Sequence, residues 1–152
     1  SYLTNNDRNF LIFRICLTYG PGAKLSDERI LNLLLLRSIK NKQIDIYGGM
    51  GQVRSNLFID DAINLIIKST SRYNKEVFNV SNHQMTTVGE MVHIISQISG
   101  KKIKRHKNTL KGSPKIIKIS NKKILNATNY KISTNLKKGL IKTYEWYSHL
   151  IK

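Results

Sequence analysis

A lone arginine just past a glycine-rich bend is the most chemically specific feature of the sequence. The stretch runs Ile44-Asp-Ile-Tyr-Gly-Gly-Met-Gly-Gln-Val-Arg-Ser-Asn-Leu-Phe-Ile-Asp-Asp-Ala62. Gly48, Gly49 and Gly51 let the backbone turn sharply and approach a ligand closely. Arg54 then offers a planar fork of donors that matches a phosphate group. Taken alone, these glycines fit a structural turn equally well.

Other constellations offer less, and no catalytic residue is assigned. The histidines His83, His93, His106 and His149 have no metal-ligand spacing, so no metal site is expected. His93 reads as a surface or satisfied mid-helix histidine. Cys16 lies in an apolar run and reads as a small buried hydrophobe rather than a nucleophile. Asp60 and Asp61 are adjacent, so at a helix start they point apart; Asp61 reads as the cap and its neighbour as solvated. Neither GxGxxG nor GxxxxGK[ST] occurs, so no loop of those kinds holds a dinucleotide or nucleotide pyrophosphate.

The elements that must position these residues follow from apolar spacing. Phe10 to Leu17 reads as a strand buried on both faces, ended by the turn Tyr19-Gly20-Pro21-Gly22. Ser26 to Lys40 reads as a helix capped by Ser26 or Asp27, with Ile30, Leu33, Leu34 and Ile39 as its apolar stripe. Asp45 to Tyr47 is a short strand, and Phe58 ends another. Asp61 to Thr70 is a helix with Ile63, Ile66 and Ile67 inward. Glu76 to Val80 alternates as a strand. Thr87 and Glu90 form a capping box for a helix from Val88 to Ser99, which Gly100 ends. Lys101 to Lys107 reads as a solvated edge strand with Ile103 inward. A loop from Thr109 to Pro114 follows, then a strand from Ile116 to Ile119. Ser120 caps a short helix through Leu125 or Asn126. Ser133 or Thr134 caps a last helix to about His149, with Leu136, Leu140, Thr143, Tyr144 and Tyr147 on one side.

The 152 residues suffice for a domain with a core, and 40% of them are hydrophobic. Lys+Arg number 26 against 9 Asp+Glu, a formal charge of +17. That favours anionic partners, or reflects a lysine-rich bias spread over solvated faces. The basic stretch Lys101 to Lys107 has no interleaved aromatic residue for base stacking, so nucleic acid is not the expected partner. A single cysteine allows no intrachain disulfide, which fits a reducing compartment. The run Leu33 to Leu36 is far too short to cross a bilayer, and no signal peptide is visible. A cytoplasmic protein without a membrane partner is the expectation.

The order of these pieces resembles the extended short-chain dehydrogenase/reductases, the NAD-dependent nucleotide-sugar epimerases, dehydratases and decarboxylases. Arg14-Ile-Cys-Leu-Thr-Tyr-Gly-Pro21 resembles their R-x-x-N-x-Y-G-P, and Ile46-Tyr-Gly-Gly-Met-Gly-Gln-Val-Arg54 their I-Y-G-D-G-x-Q-x-R. Phe58-Ile-Asp-Asp-Ala62 is similar to Y-V-x-D-V, and Val77-Phe-Asn-Val-Ser81 to V-Y-N-V-G. Lys138-Lys-Gly-Leu-Ile-Lys-Thr-Tyr-Glu-Trp146 is similar to E-E-G-L-x-x-T-I-x-W. Asp27-Glu-Arg-Ile-Leu-Asn32 resembles the D-x-R-V-x-x-N of the decarboxylase-like branch.

The resemblance implies an α/β fold: the C-terminal part of an NAD(P)-binding Rossmann-type enzyme, a small mixed α/β substrate-binding portion over residues 1–152. Residues 10–17 would be the last part of the Rossmann sheet. The family's GxxGxxG loop and Y-x-x-x-K pair belong to its first half and do not occur here. Ser1 therefore looks like a cut after the catalytic helix, and the chain alone is expected to bind no NAD or NADP and to be inactive. Substrate roles implied by the resemblance fall on Arg54 (diphosphate), Tyr47 (base), Arg29 and Asn32 (nucleotide-gripping helix), Lys111 (second phosphate) and Thr87. Tyr19, Gly20 and Pro21 would border the cofactor's nicotinamide.

The chemistry implied for the full-length enzyme is hydride transfer from the sugar C4 to NAD, then epimerisation, elimination or decarboxylation, in the making of surface-polysaccharide sugars. The implied partners are a nucleotide-diphosphate sugar and a missing N-terminal half or a second copy in a homodimer. Leu17 stands where the family has asparagine, Gly49 where it has aspartate, Asn56 where it has an aromatic or apolar residue, and Ser81 where it has glycine. A non-catalytic binding or assembly module derived from the family is the alternative, with a basic nucleic-acid-binding domain behind it.

Overall fold

Three small sheets and five helices make up the computed structural model, which describes residues 9–41, 43–106, 116 and 118–151. Strands β1 (Leu11–Ile15) and β5 (Glu76–Val80) pair in parallel, with Phe13 opposite Phe78. Strand β2 (Leu17–Tyr19) lies parallel to β4 (Val53–Phe58), whose other edge takes β6 (Met85–Thr87) antiparallel. The third sheet pairs β3 (Gln43–Tyr47) in parallel with β7 (Lys102–His106). Parallel neighbours need long crossovers. The helices supply them: α1 (Ile30–Lys40), α2 (Ile59–Thr70) and α3 (Val88–Ser99), followed by α4 (Lys122–Thr128) and α5 (Leu136–Leu150).

The segment expected as one strand from Phe10 to Leu17 breaks at Cys16. The Cys16 amide donates to the Val80 carbonyl at 3.0 Å, and the chain then leaves β5 for β4. Among the described residues β1 has a partner on one edge only, and Arg14 and Ile15 are exposed. The strand is therefore not buried on both faces.

Strand β4 is the shared wall, buried from Arg54 through Phe58. Successive strand residues face opposite ways. Phe58 accordingly enters a core with Leu34, Leu35, Ile44, Met91, Ile95, Leu140 and Tyr147, while Leu57 enters another with Leu65, Phe78, Val80 and Ile124.

Helix α1 starts at Ile30, later than its expected cap at Ser26 or Asp27. The Asp27 carboxylate accepts from the Arg29 amide at 3.0 Å and from its guanidinium, which holds residues 27–29 outside the helix. The buried set is Leu31, Asn32, Leu34, Leu35, Leu36 and Ser38, most of the helix circumference rather than the narrow stripe expected. Helix α2 starts at Ile59, so Asp61 is not its cap. Ile63 and Ile67, expected inward, are exposed; Asp61, Ala62, Leu65 and Ser69 face in.

Asp61 itself sets that rotation. It is 1% exposed, and Tyr130 Oη (2.7 Å), Ser133 N (3.2 Å) and Thr134 N (3.2 Å) donate to it. With residues 133 and 134 so engaged, Asn135 caps α5 by accepting from Lys138 N at 2.9 Å. Leu140, Thr143 and Tyr147 are buried as expected. Asn121, not Ser120, precedes α4, and its side chain donates to the Ser81 carbonyl at 2.7 Å. The capping box of α3 forms as read: Thr87 Oγ1 accepts from Glu90 N at 3.1 Å and Glu90 Oε2 accepts from Thr87 N at 2.6 Å. Of the strand expected over Ile116 to Ile119, Ile116 makes an isolated bridge to Val53. The loop from Thr109 to Pro114, with Lys111, lies outside the described residues.

Candidate functional site

The glycine-rich bend is fastened to the start of α3. Gly48 has φ 107°, a conformation that glycine alone adopts readily. Beyond it, Val88 N donates to the Gln52 carbonyl at 2.9 Å and Gly89 N to the Met50 carbonyl at 2.8 Å. An open cavity of about 360 Å³ lies between this bend, the end of β3 and the outward face of α1. Ile30 and Leu33, two residues of the expected inward stripe, line it together with Arg37, Asp45, Tyr47 and Arg54, and Ile30 also packs against the core.

Arg54 is 7% exposed and borders this cavity. Its guanidinium donates to the Val53 carbonyl at 2.9 Å and to Gln52 Oε1 at 3.1 Å. These bonds fix the orientation of the fork where it borders the cavity. A cation so held is suited to an anionic ligand, and its planar donors to phosphoryl oxygens.

Tyr47 is half exposed on the same cavity. Its ring stacks on the His106 imidazole, centroids 4.4 Å apart and planes 12° from parallel. The Arg37 guanidinium carbon lies 5.9 Å from the Tyr47 centroid. Asp45 binds both neighbours: His106 Nε2 is 2.7 Å from its carboxylate, and Arg37 Nη1 donates to its carbonyl at 3.2 Å. The hydrogen bond from His106 holds the Asp45 carboxyl below its usual range against the opposing effect of burial. Arg37 and His106 were not singled out from the sequence. Arg37 sits in the last turn of a helix, where a cation is expected for the dipole alone. His106 meets Tyr47 only through the parallel register of β3 with β7, a long-range pairing.

Arg29 and Asn32 do not join Arg54. The Arg29 guanidinium donates to both Asp27 carboxylate oxygens and to the Thr18 carbonyl at 3.0 Å. Asn32 is buried and donates to Asp27 at 2.7 Å. The Arg29 side chain holds the Asp27 carboxyl at about 2. Arg29 borders an open cavity of about 340 Å³ with Tyr19, Gly20 and Pro21, another of about 370 Å³ with Cys16 and Ser55, and a crevice of about 10 Å³ with Asn32.

Tyr19 is buried edge-on against Phe58, and burial followed by the nearby Asp61 charge pushes its phenol well up. Gly20 packs so tightly on Ile59 that a Cβ there would collide with that side chain. Thr87 is taken up by its cap, and the next residue, Val88, lines the Arg54 cavity. Burial raises the Cys16 thiol, as for a small hydrophobe. Among the described residues no three His, Cys, Asp or Glu side chains cluster as metal ligands, and no helix is long and apolar enough to cross a membrane.

Comparison with known proteins converges on one group. Residues 1–81 match the family model described as the NAD dependent epimerase/dehydratase family. UDP-glucuronic acid decarboxylase 1 of Xenopus tropicalis is 22% identical over 100 residues, 66% of this chain and 24% of that protein. The solved UDP-glucose 4-epimerase of Thermotoga maritima with UDP-glucose superimposes with a TM-score of 0.82 at 20% identity, over 95% of this chain and 47% of that one. The Bacillus cereus UDP-glucuronic acid 4-epimerase in complex with UDP-glucuronic acid and NAD gives 0.79 at 21%, over 92% and 45%. At such identities the structural likeness speaks for the fold. The chain thus spans about half the length of these solved structures and a quarter of the decarboxylase.

Proposed function

Since this chain belongs to the NAD dependent epimerase/dehydratase family, we propose that it binds the nucleoside diphosphate moiety of a nucleotide sugar in the Arg54 cavity. The observation that carries this reading is Arg54 itself. It is a nearly buried guanidinium, hydrogen-bonded to the Val53 carbonyl and Gln52 Oε1, on the wall of an open cavity that also presents an aromatic ring. A planar guanidinium on a cavity wall matches the paired oxygens of a diphosphate. Arg54 grips the diphosphate, and Arg37 adds a second cation on the same wall. Tyr47 supports the base. The Asp27, Arg29 and Asn32 cluster fixes the start of α1 and the end of β2, so these residues act by position rather than by contact.

Relatives whose substrates are UDP-sugars motivate the sugar part of the proposal: the Thermotoga epimerase holds UDP-glucose and the Bacillus enzyme holds UDP-glucuronic acid with NAD. In a complete enzyme of this family a nicotinamide dinucleotide would supply the hydride chemistry at the sugar. The turn Tyr19-Gly20-Pro21, which the resemblance puts beside the nicotinamide, borders its own open cavity. The sequence contains no GxGxxG, and the charged residue lining that cavity, Arg29, already has its fork on Asp27. No step through the cofactor is therefore assigned to these residues. Among the family's reactions, epimerisation, dehydration and decarboxylation share this substrate-binding requirement.

Calorimetric titration of the 152-residue chain with UDP, dTDP and uridine tests the proposal. Saturable binding of a nucleoside diphosphate, with uridine far weaker, is expected. Absence of binding by both diphosphates overturns it. So does equally tight binding of single-stranded RNA with a steep salt dependence, which would favour a charge-driven nucleic-acid surface.

A further inference from the structure

Two rings meet at the mouth of the Arg54 cavity, and only one of them lines it. Tyr47 is at the C-terminal end of β3 and half exposed. An exposed ring in such a place changes rotamer readily, and a ligand that stacks on it must first order it. Here the ring is already ordered. The His106 imidazole lies against it at 4.4 Å and nearly parallel, because Tyr47 and His106 are directly opposed in the β3–β7 register. Directly opposed residues on one face are the closest side-chain neighbours that a sheet offers.

The imidazole is held in turn. Its Nε2 is 2.7 Å from Asp45 Oδ1, two residues back on the same face of β3. Asp45 also accepts from Gln43 at 3.3 Å and stands opposite Lys104. Arg37 completes the group through the Asp45 carbonyl and the Tyr47 ring. Each member thus restricts the next, from a carboxylate through an imidazole to a phenol that faces the cavity.

We propose that His106 is a positioning residue for the base-binding end of the cavity, holding Tyr47 as a preformed flat surface for the ligand's heterocycle. This rests on the nucleotide-binding reading above. His106 acts through Tyr47, while Arg54, on the other part of the wall, is reached by phosphate independently of the ring. The proposal therefore separates ligands with a base from ligands without one.

The experiment compares UDP with inorganic pyrophosphate on the unsubstituted chain and on His106→Ala, His106→Leu and His106→Phe, by calorimetry. His106→Ala and His106→Leu should weaken UDP binding by ~3–10-fold, the effect of having to order one aromatic side chain on binding. They should leave pyrophosphate affinity unchanged. His106→Phe, which keeps a ring against Tyr47, should restore UDP affinity. Leucine fills the site, so it keeps the test open if the alanine variant fails to fold. Unchanged UDP affinity in the leucine variant overturns the proposal. A parallel loss for UDP and pyrophosphate also overturns it, since that marks general damage. If the unsubstituted chain binds pyrophosphate but not UDP, the nucleotide reading itself fails, a result distinct from failure of His106 alone.

Discussion

Replacing Asp61 with alanine should be the most damaging single change away from the Arg54 cavity. The carboxylate is 1% exposed and ties α2 to the segment before α5 through donors at 2.7, 3.2 and 3.2 Å from Tyr130, Ser133 and Thr134. Hydrogen bonds to a charged group contribute ~1.5–3 kcal/mol each, and they are not additive. Tyr130 and Thr134 are only half-buried, so water recovers part of the loss. The expected cost is about 3–5 kcal/mol, a large share of the ~5–15 kcal/mol that holds a domain together. In urea, with a slope of about 2 kcal/mol/M, the midpoint should fall by roughly 2 M.

The same carboxylate carries a pH signature. Burial pushes its pKa up, but the hydrogen bonds from Tyr130, Ser133 and Thr134 outweigh this, and the folded value lies below the ordinary 3.8. A depressed folded pKa means stability that is present above the unfolded value and lost as pH falls through the folded one. The unsubstituted chain should therefore shed this contribution below about pH 4, and Asp61→Ala should not. A midpoint shift worth less than about 1 kcal/mol, or an acid profile identical in both proteins, would refute the reasoning.

Three further outcomes follow from local geometry. Thr87→Ala removes the capping box of α3 and should cost about 1 kcal/mol, read as a fall in melting temperature of about 2–4 °C. Gly139→Ala should destabilise by ~1–3 kcal/mol although alanine is the better helix former. Its Cβ would press on the Tyr19 hydroxyl and come within 2.9 Å of Phe58 Cδ2; equal or higher stability in a urea melt would contradict this packing. The Asp27 carboxyl should titrate at about 2 by NMR and return toward 3.8 in Arg29→Ala, whereas an unchanged midpoint would show that the ion pair does not form in solution.

Local signals were legible where a side chain serves its own element. The Thr87–Glu90 box and the Gly100 stop are read and formed within a few residues, and the Gly48 bend follows from three closely spaced glycines. Signals failed where a side chain serves a distant one. Asp61 reads as a helix cap because it precedes an apolar run, but its partners are Tyr130, Ser133 and Thr134. That displacement also moved the cap of α5 to Asn135 and turned Ile63 and Ile67 outward. The break at Cys16 depends on two partner strands, β5 and β4, competing for one segment. At the candidate site, Arg54 and Tyr47 were readable from the bend they flank. Arg37 and His106 needed the tertiary register, and Arg29 was drawn off by its own neighbour Asp27.

The most direct test of the central claim is the affinity of UDP for Arg54→Lys and Arg54→Ala, each checked for an unaltered melt. The lysine keeps the charge and loses the planar fork. The account predicts that alanine weakens binding by ~10–100-fold and that lysine recovers only part of it. UDP affinity within twofold of the unsubstituted chain in Arg54→Ala would contradict the account.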